Sequence, residues 1–111
     1  MWYIFPQLKG LGFSTMSQRY AIRDIDEASA FLSHPVLGER LINICRELLK
    51  INESDAHKVF GSPDDVKLKS SMTLFSSVPG AAPVFTEVLQ KFFAGQKDRK
   101  TLSILSDKPL P

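Results

Sequence analysis

An all-α fold is predicted by this sequence, as a compact single-domain bundle of about five to six short helices. Apolar residues recur at three- and four-residue spacing, and helix-capping and helix-ending residues separate the apolar segments. No stretch shows sustained strand alternation bounded by hairpin turns. With 111 residues the chain fits one domain, which we place at residues 1–105, followed by a flexible tail at 106–111.

The chain begins with an apolar aromatic segment at residues 1–6, which is too short for a signal sequence and lacks a basic leader. Part of it, from Trp2 to Phe5, can form a short extended piece. Residues 7–17 are rich in glycine, serine and threonine, a composition typical of loops. We therefore predict an ordered N-terminal loop that contains aromatic residues and glycines.

Two helices are predicted next. The first begins near Asp24 or Asp26 and ends at Ser33. Pro35 then suits the first position of a longer helix that runs to about Ile51. Because its apolar residues recur at helical spacing, we interpret it as the central core helix. These residues are Leu37, Leu41, Ile44, Cys45, Leu48 and Leu49.

Shorter helices follow, each with recognisable ends. Ser54 can cap a helix over residues 55–60 that Gly61 ends. Ser62 can cap the next helix, residues 63–77, with its apolar residues roughly on one side. Two further helices are predicted after it. Pro83 opens a helix that Gly95 ends, and Asp98 caps the last one.

Composition excludes several classes of protein. The net charge of +2 comes from 14 basic and 12 acidic residues spread along the chain, so nucleic acid is an unlikely partner. Cys45 is the single cysteine, which excludes an intrachain disulfide and indicates a reducing cytoplasm. His34 and His57 match no metal motif, so we predict no metal site. No apolar run approaches the roughly 20 residues that span a bilayer, which predicts a soluble protein without a membrane partner.

The segment after Gly61 has the densest polar cluster. Asp64 and Asp65 complement the positive end of the helix that starts there, and Asp64 is also a weak candidate for a general acid or base. Lys67 lies three or four positions from Ser70 and Ser71, a spacing that can hold an anion. The alternative is that these residues form an ordinary solvated helix face.

We hypothesise a small-ligand-binding domain, either a binding protein or an enzyme that acts on a nucleotide-like or other anionic metabolite; the sequence identifies no cofactor, which stays unknown. The site would lie between the loop at residues 7–20 and the helix at residues 62–73. In this hypothesis Lys67 and the amides near Ser62 bind the anion, while Trp2 or Tyr20 stacks on a ring; core packing is the alternative use of the aromatic residues. The candidate ligand-binding residues are Trp2, Gln7, Tyr20, Ser62, Lys67, Ser70 and Thr73.

A competing hypothesis needs no active site. The aromatic N-terminus and the Phe92-Phe93 pair could form a surface for a protein partner or for a homodimer. Ligand-specific thermal stabilisation would favour the first hypothesis, whereas a concentration-dependent mass would favour the second.

Blocks of sequence along nearly the whole chain resemble the family known as domain of unknown function 1810. The blocks include Trp2-Tyr3-Ile4-Phe5-Pro6-Gln7, Gly10-Leu11-Gly12, Tyr20-Ala21-Ile22, His34-Pro35-Val36-Leu37-Gly38, Val84-Phe85 and Phe92-Phe93. The resemblance implies a mainly helical, soluble fold of mostly bacterial type, with no established activity or catalytic residues. Some members carry a calpastatin label, but nothing in this sequence supports calpain inhibition.

Members of this family look longer at the N-terminus, with an additional helix and a His-Trp pair before the Trp2 block. The resemblance therefore implies that the present chain is truncated relative to them. If the additional helix normally covers Trp2 and Phe5, we expect this chain to expose apolar surface, to lose stability, or to dimerise.

Overall fold

The computed structural model describes residues 5–7, 21–61 and 64–106. Within these ranges six helices form: α1 Ile25–Ser33, α2 Leu37–Lys50, α3 Ala56–Phe60, α4 Asp64–Ser76, α5 Val84–Phe93 and α6 Arg99–Ser106. The predicted all-α fold is confirmed. Most of the predicted N-terminal loop, and the predicted tail beyond residue 106, lie outside the described residues.

The bounds of α1 agree with the prediction, whereas the starts of α2 and α3 depart from it. Asp24 caps α1, where its Oδ1 accepts the Glu27 amide N–H at 2.9 Å. The prediction that Pro35 opens α2 is wrong, because α2 begins at Leu37. Nδ1 of His34 accepts the N–H groups of Val36 and Leu37, each at 3.1 Å, and so supplies the acceptor for the start of α2.

The short helix α3 is capped one residue later than predicted. Asp55, not Ser54, is the N-cap, and its Oδ1 accepts the His57 N–H at 3.0 Å. Gly61 ends α3 with a φ of 71°, which confirms the predicted glycine stop.

The central helix of the bundle is α4, and the prediction that the α2 segment holds this position is wrong. All residues of α4 from Ser70 to Phe75 are buried, as is Leu68. By contrast, α2 buries only Gly38, Leu41 and Cys45. Six consecutive buried residues cover the full circumference of a helix, so the second half of α4 is surrounded by other parts of the chain.

Aromatic contacts join α4 to its neighbours. The ring of Phe75 lies 5.5 Å from that of Phe31 in α1 and 5.6 Å from that of Phe85 in α5, measured between centroids. Phe5 packs edge-on against Phe60 at 6.3 Å and is buried. The expectation of exposed apolar surface is therefore wrong for Phe5, while Trp2 lies outside the described residues.

Helices α1 and α2 approach each other closely at Gly38. A Cβ atom at this position would overlap the backbone carbonyl of Leu32. The absence of a side chain at Gly38 is what allows the two helices to lie this near to each other.

The carboxyl end of α2 is closed by a side chain from α5. Nζ of Lys91 donates to the carbonyl oxygens of Leu48 at 2.9 Å and Leu49 at 3.0 Å, and also to that of Ile51. A helix leaves its last carbonyls without partners, and its dipole favours a cation there. Lys91 supplies both the donors and the charge.

In residues 5–7, 21–61 and 64–106, we find no helix with the length and apolar character that a membrane crossing requires.

Candidate functional site

The predicted site residues are only partly covered by the structure. Trp2, Tyr20 and Ser62 lie outside the described residues. Gln7 is half-buried, and its carbonyl oxygen accepts the Ile22 N–H at 2.8 Å, which ties the N-terminal segment to the chain just before α1. The placement of the predicted pocket between the N-terminal loop and α4 therefore stays a prediction.

Asp64 and Lys67 are both half-buried and lie one turn apart at the start of α4. Residues three positions apart on a helix share a side, so the carboxylate and the ammonium belong to the same part of the surface. Asp64 and Asp65 are the acidic residues of the first turn, as expected for the positive end of a helix dipole.

Ser70 and Thr73 use their hydroxyl groups inside the fold. Ser70 is 2% exposed, and its Oγ donates to the Val66 carbonyl at 3.0 Å. Oγ1 of Thr73, which is also buried, donates to the Lys69 carbonyl at 2.8 Å. The interpretation of this helix face as solvated is therefore wrong at Ser70.

Ser71 differs from these two residues. It is buried, and its Oγ has no hydrogen-bond partner among the described residues. Most buried hydroxyl groups in proteins are hydrogen-bonded, so Ser71 is an exception. Ser71 lies four positions after Lys67, but it is enclosed, and the prediction that the two residues hold an anion stays a prediction.

A second polar region, which the sequence did not predict, lies where α4 meets the start of α6. It is a depression of about 620 Å³, which we call the basic depression. Lys69 contributes from α4, and the other lining residues come from the segment that leads into α6 and from its first turns. The lining residues are Lys69, Gln96, Lys97, Asp98, Arg99, Lys100 and Leu102.

The chain is held in place at the basic depression by Thr73 and Asp98. Oγ1 of Thr73 accepts the Asp98 N–H at 2.9 Å, which joins α4 to the segment before α6. Oδ2 of Asp98 accepts from the N–H of Thr101 at 2.9 Å and from its Oγ1 at 2.6 Å. The Asp98 carboxylate therefore caps α6, which confirms its predicted role.

The charge of the basic depression is unbalanced. Among the described residues that line it, four side chains are cationic and Asp98 is the one carboxylate. Lys69, Lys97 and Arg99 form no ion pair with any described residue. The ammonium of Lys69 lies 5.9 Å from the centroid of the Phe93 ring, which adds a cation–π contact but no countercharge. Cations gathered in a concave surface attract anions.

Sequence reasoning missed this region because Lys69 is distant in the chain from the other three basic residues. One local signal was present, since Lys97, Arg99 and Lys100 occur within four positions at a predicted helix start. Periodicity alone could not indicate that Lys69 lies beside them.

Cys45 is a core residue, as interpreted from its place on the apolar side of α2. Its Sγ lies 3.6 Å from Sδ of Met72, and burial raises the pKa of the Cys45 thiol to about 12. A thiol with this pKa is protonated at neutral pH and is no nucleophile. In the described ranges, no three His, Cys, Asp or Glu residues gather closely enough to hold a metal ion.

The Phe92-Phe93 pair was expected to offer a surface to a partner. This expectation is wrong for Phe92, which is 8% exposed and belongs to the core. Phe93 is half-buried, packs against the core and lies beneath Lys69.

Comparison with solved structures places this geometry in a wider context. The chain is similar to the conserved hypothetical protein Rv1873 from Mycobacterium tuberculosis, whose crystal structure superposes with a TM-score of 0.91 at 41% sequence identity. The match covers 95% of this chain and 75% of the other. Among curated proteins, no match was found. A family model described as a protein of unknown function, DUF1810, matches residues 1–105, and the chain therefore belongs to the DUF1810 family.

Proposed function

We propose that this protein binds a small anionic ligand, with the basic depression as its site. One observation supports the proposal above the others: Lys69, Lys97 and Arg99 surround one concave surface, and no described residue forms an ion pair with them. Keeping like charges close together opposes folding unless an anion compensates them. A volume of about 620 Å³ also lies within the range of roughly 300–1,000 Å³ that small-molecule sites occupy.

The site predicted from the sequence stays a second location for the same function. There Lys67 would bind the anion, Trp2 or Tyr20 would stack on a ring, and Asp64 would act as the acid or base if the protein is an enzyme. The half-buried positions of Asp64 and Lys67 on one side of α4 support this location. The homodimer hypothesis depends on aromatic residues at positions 1–4 and stays a prediction, which sedimentation at several protein concentrations would test.

The two locations can be distinguished by substitution. Thermal unfolding would be followed with inorganic phosphate, AMP and citrate, each added at the same ionic strength so that general screening is constant. We expect at least one of these anions to raise the Tm of the natural chain, and K97A/R99A to lose this rise. K58A, which removes an exposed lysine of α3 far from the basic depression in sequence, should keep it.

Loss of the rise in Lys67→Ala but not in K97A/R99A would move the site to the start of α4. No rise with any of the anions in a well-folded natural chain would contradict the proposed function.

A further inference from the structure

We infer that the ligand of the basic depression is a phosphate monoester of a small polar organic molecule, an inference that rests on the proposed function. Its phosphoryl group is held by Lys69, Lys97 and Arg99, and its organic part lies over Gln96 and Leu102.

The charge balance favours a phosphoryl group over a carboxylate. Lys69, Lys97 and Arg99 face the single carboxylate of Asp98, which leaves an excess of two positive charges among these residues. A phosphate monoester carries a charge of about −1.5 to −2 at pH 7, whereas one carboxylate carries −1. Lys100 is left out of this balance because it already makes an interaction of its own.

The types of donor also favour phosphate. The planar guanidinium of Arg99 can donate two parallel hydrogen bonds to phosphoryl oxygens, and the two lysines add ammonium groups that adapt to the remaining oxygens. The amide groups at the start of α6 contribute less, because the Asp98 carboxylate already accepts the Thr101 N–H. The side chains of Lys69, Lys97 and Arg99 therefore carry most of the binding, and their replacement by alanine should weaken it strongly.

The size and the non-basic lining of the depression favour an ester over inorganic phosphate. A depression of about 620 Å³ lies in the range of roughly 300–1,000 Å³ that small-molecule sites occupy, which leaves room for an organic part beside the phosphoryl group. Leu102 is 37% exposed at this surface and offers an apolar contact, while Gln96 offers an amide that can both donate and accept. A bare phosphate ion would gain nothing from the apolar surface of Leu102, whereas the organic part of an ester can contact both residues.

Isothermal titration calorimetry of the full chain tests the inference. The probes are ribose 5-phosphate and AMP, their unphosphorylated counterparts ribose and adenosine, inorganic phosphate, and citrate, all at one ionic strength. We expect one of the two esters to bind at least tenfold more tightly than its counterpart and than inorganic phosphate. K97A/R99A should weaken this binding at least tenfold without lowering the Tm, because it removes charges that repel each other. K58A should leave the binding unchanged and keep the Tm of the natural chain.

The possible failures are distinguishable. Equal affinity for an ester and inorganic phosphate would overturn the organic part of the inference. Tighter binding of citrate than of either ester would overturn the inference that the ligand carries a phosphoryl group, and would leave the proposed function in place. Binding that K97A/R99A does not weaken would overturn the assignment of these side chains, and no binding of any probe would overturn both the inference and the proposed function.

Discussion

Helices α2 and α4 are nearly equal in length, with 14 and 13 residues, but their environments are opposite. In α2 the apolar residues follow one side, and three of its residues are buried. In α4 seven residues are buried and they surround the helix. A helix with one apolar side is suited to the surface of a bundle, whereas a helix without a polar side must be enclosed.

The buried polar residues of α4 explain how this enclosure is possible. Ser70 and Thr73 donate their hydroxyl hydrogens to carbonyl oxygens four positions earlier in the same helix. Ser76, which is half-buried, donates to the carbonyl of Thr73, three positions earlier, at 3.0 Å. Serine and threonine can satisfy themselves against their own backbone, so they enter the core without polar partners from other helices. Regular hydrophobic spacing is therefore a poor guide to which helix is central.

Removal of a core ring from α4 should have the largest effect on stability. Phe75→Ala deletes a ring that contacts both Phe31 and Phe85, so we expect a loss of about 3–5 kcal/mol in the free energy of unfolding. The matched change in α2 is Ile44→Ala at a position 36% exposed, which should cost less than half as much. Urea denaturation of both variants measures the difference, and equal losses would contradict the assignment of α4 as the central helix.

A small addition to α2 should be the next most harmful change. Gly38→Ala places a methyl group against the Leu32 carbonyl, which is backbone and cannot move aside cheaply. We expect a loss of about 1–3 kcal/mol, although alanine ordinarily stabilises a helix relative to glycine. Glu39→Ala, at the exposed neighbouring position, should change stability by less than about 0.5 kcal/mol. A stabilised Gly38→Ala variant would show that α1 and α2 are not in close contact there.

The cation at the end of α2 should contribute a smaller amount. Lys91→Met keeps most of the apolar stem and removes the ammonium that binds the carbonyls of Leu48 and Leu49, so we expect a loss of about 1–2 kcal/mol. Lys50→Met is the control, because its ion pair with Glu47 is largely exposed and should contribute little. Chemical denaturation of both variants tests the expectation, which an unchanged Lys91→Met variant would contradict.

Because Cys45 is buried where α2 contacts α4, the free energy of unfolding should depend on pH. Burial raises the pKa of the Cys45 thiol from 9.0 to about 12, so the unfolded chain loses this proton first as the pH rises. The free energy of unfolding should therefore fall above about pH 9, by up to about 1.4 kcal/mol per pH unit from this group.

Cys45→Ala separates this effect from the titration of lysines and tyrosines, which both proteins share. Urea denaturation at about pH 8 and about pH 10 should show the larger decrease in the natural chain. Parallel decreases would mean that Cys45 is not shielded from water.

Much of the fold could be predicted because local chemistry determines where helices begin and end. Asp98 caps a helix as predicted, the first helix begins next to Asp24 as predicted, and Gly61 ends a helix with a positive φ. The start of α2 was missed because an imidazole acceptor, His34, replaces the usual capping residue. Whether an imidazole accepts these N–H groups depends on the orientation of its ring, which the spacing of residues in the sequence does not determine.

The candidate site was less predictable, since it depends on contacts between distant parts of the chain. Lys69 lies beside the residues that precede α6 because a hydrogen bond joins Thr73 to Asp98, 25 positions later in the chain. Thr73 was named from the sequence as a ligand-binding residue, and this role stays a prediction, since its observed hydrogen bonds join parts of the fold. The anion-binding role of Lys67 and the acid or base role of Asp64 stay proposals.

The Lys91 ammonium affects the order in which the helices reach their final structure during synthesis. It reaches carbonyls that lie 43 and 42 positions earlier in the chain. During synthesis α2 therefore emerges with an open carboxyl end, and this end closes only after α5 has also been made. The last turn of α2 should fray in the nascent chain, so the bundle acquires its final rigidity from its later half and not from the helices that emerge first.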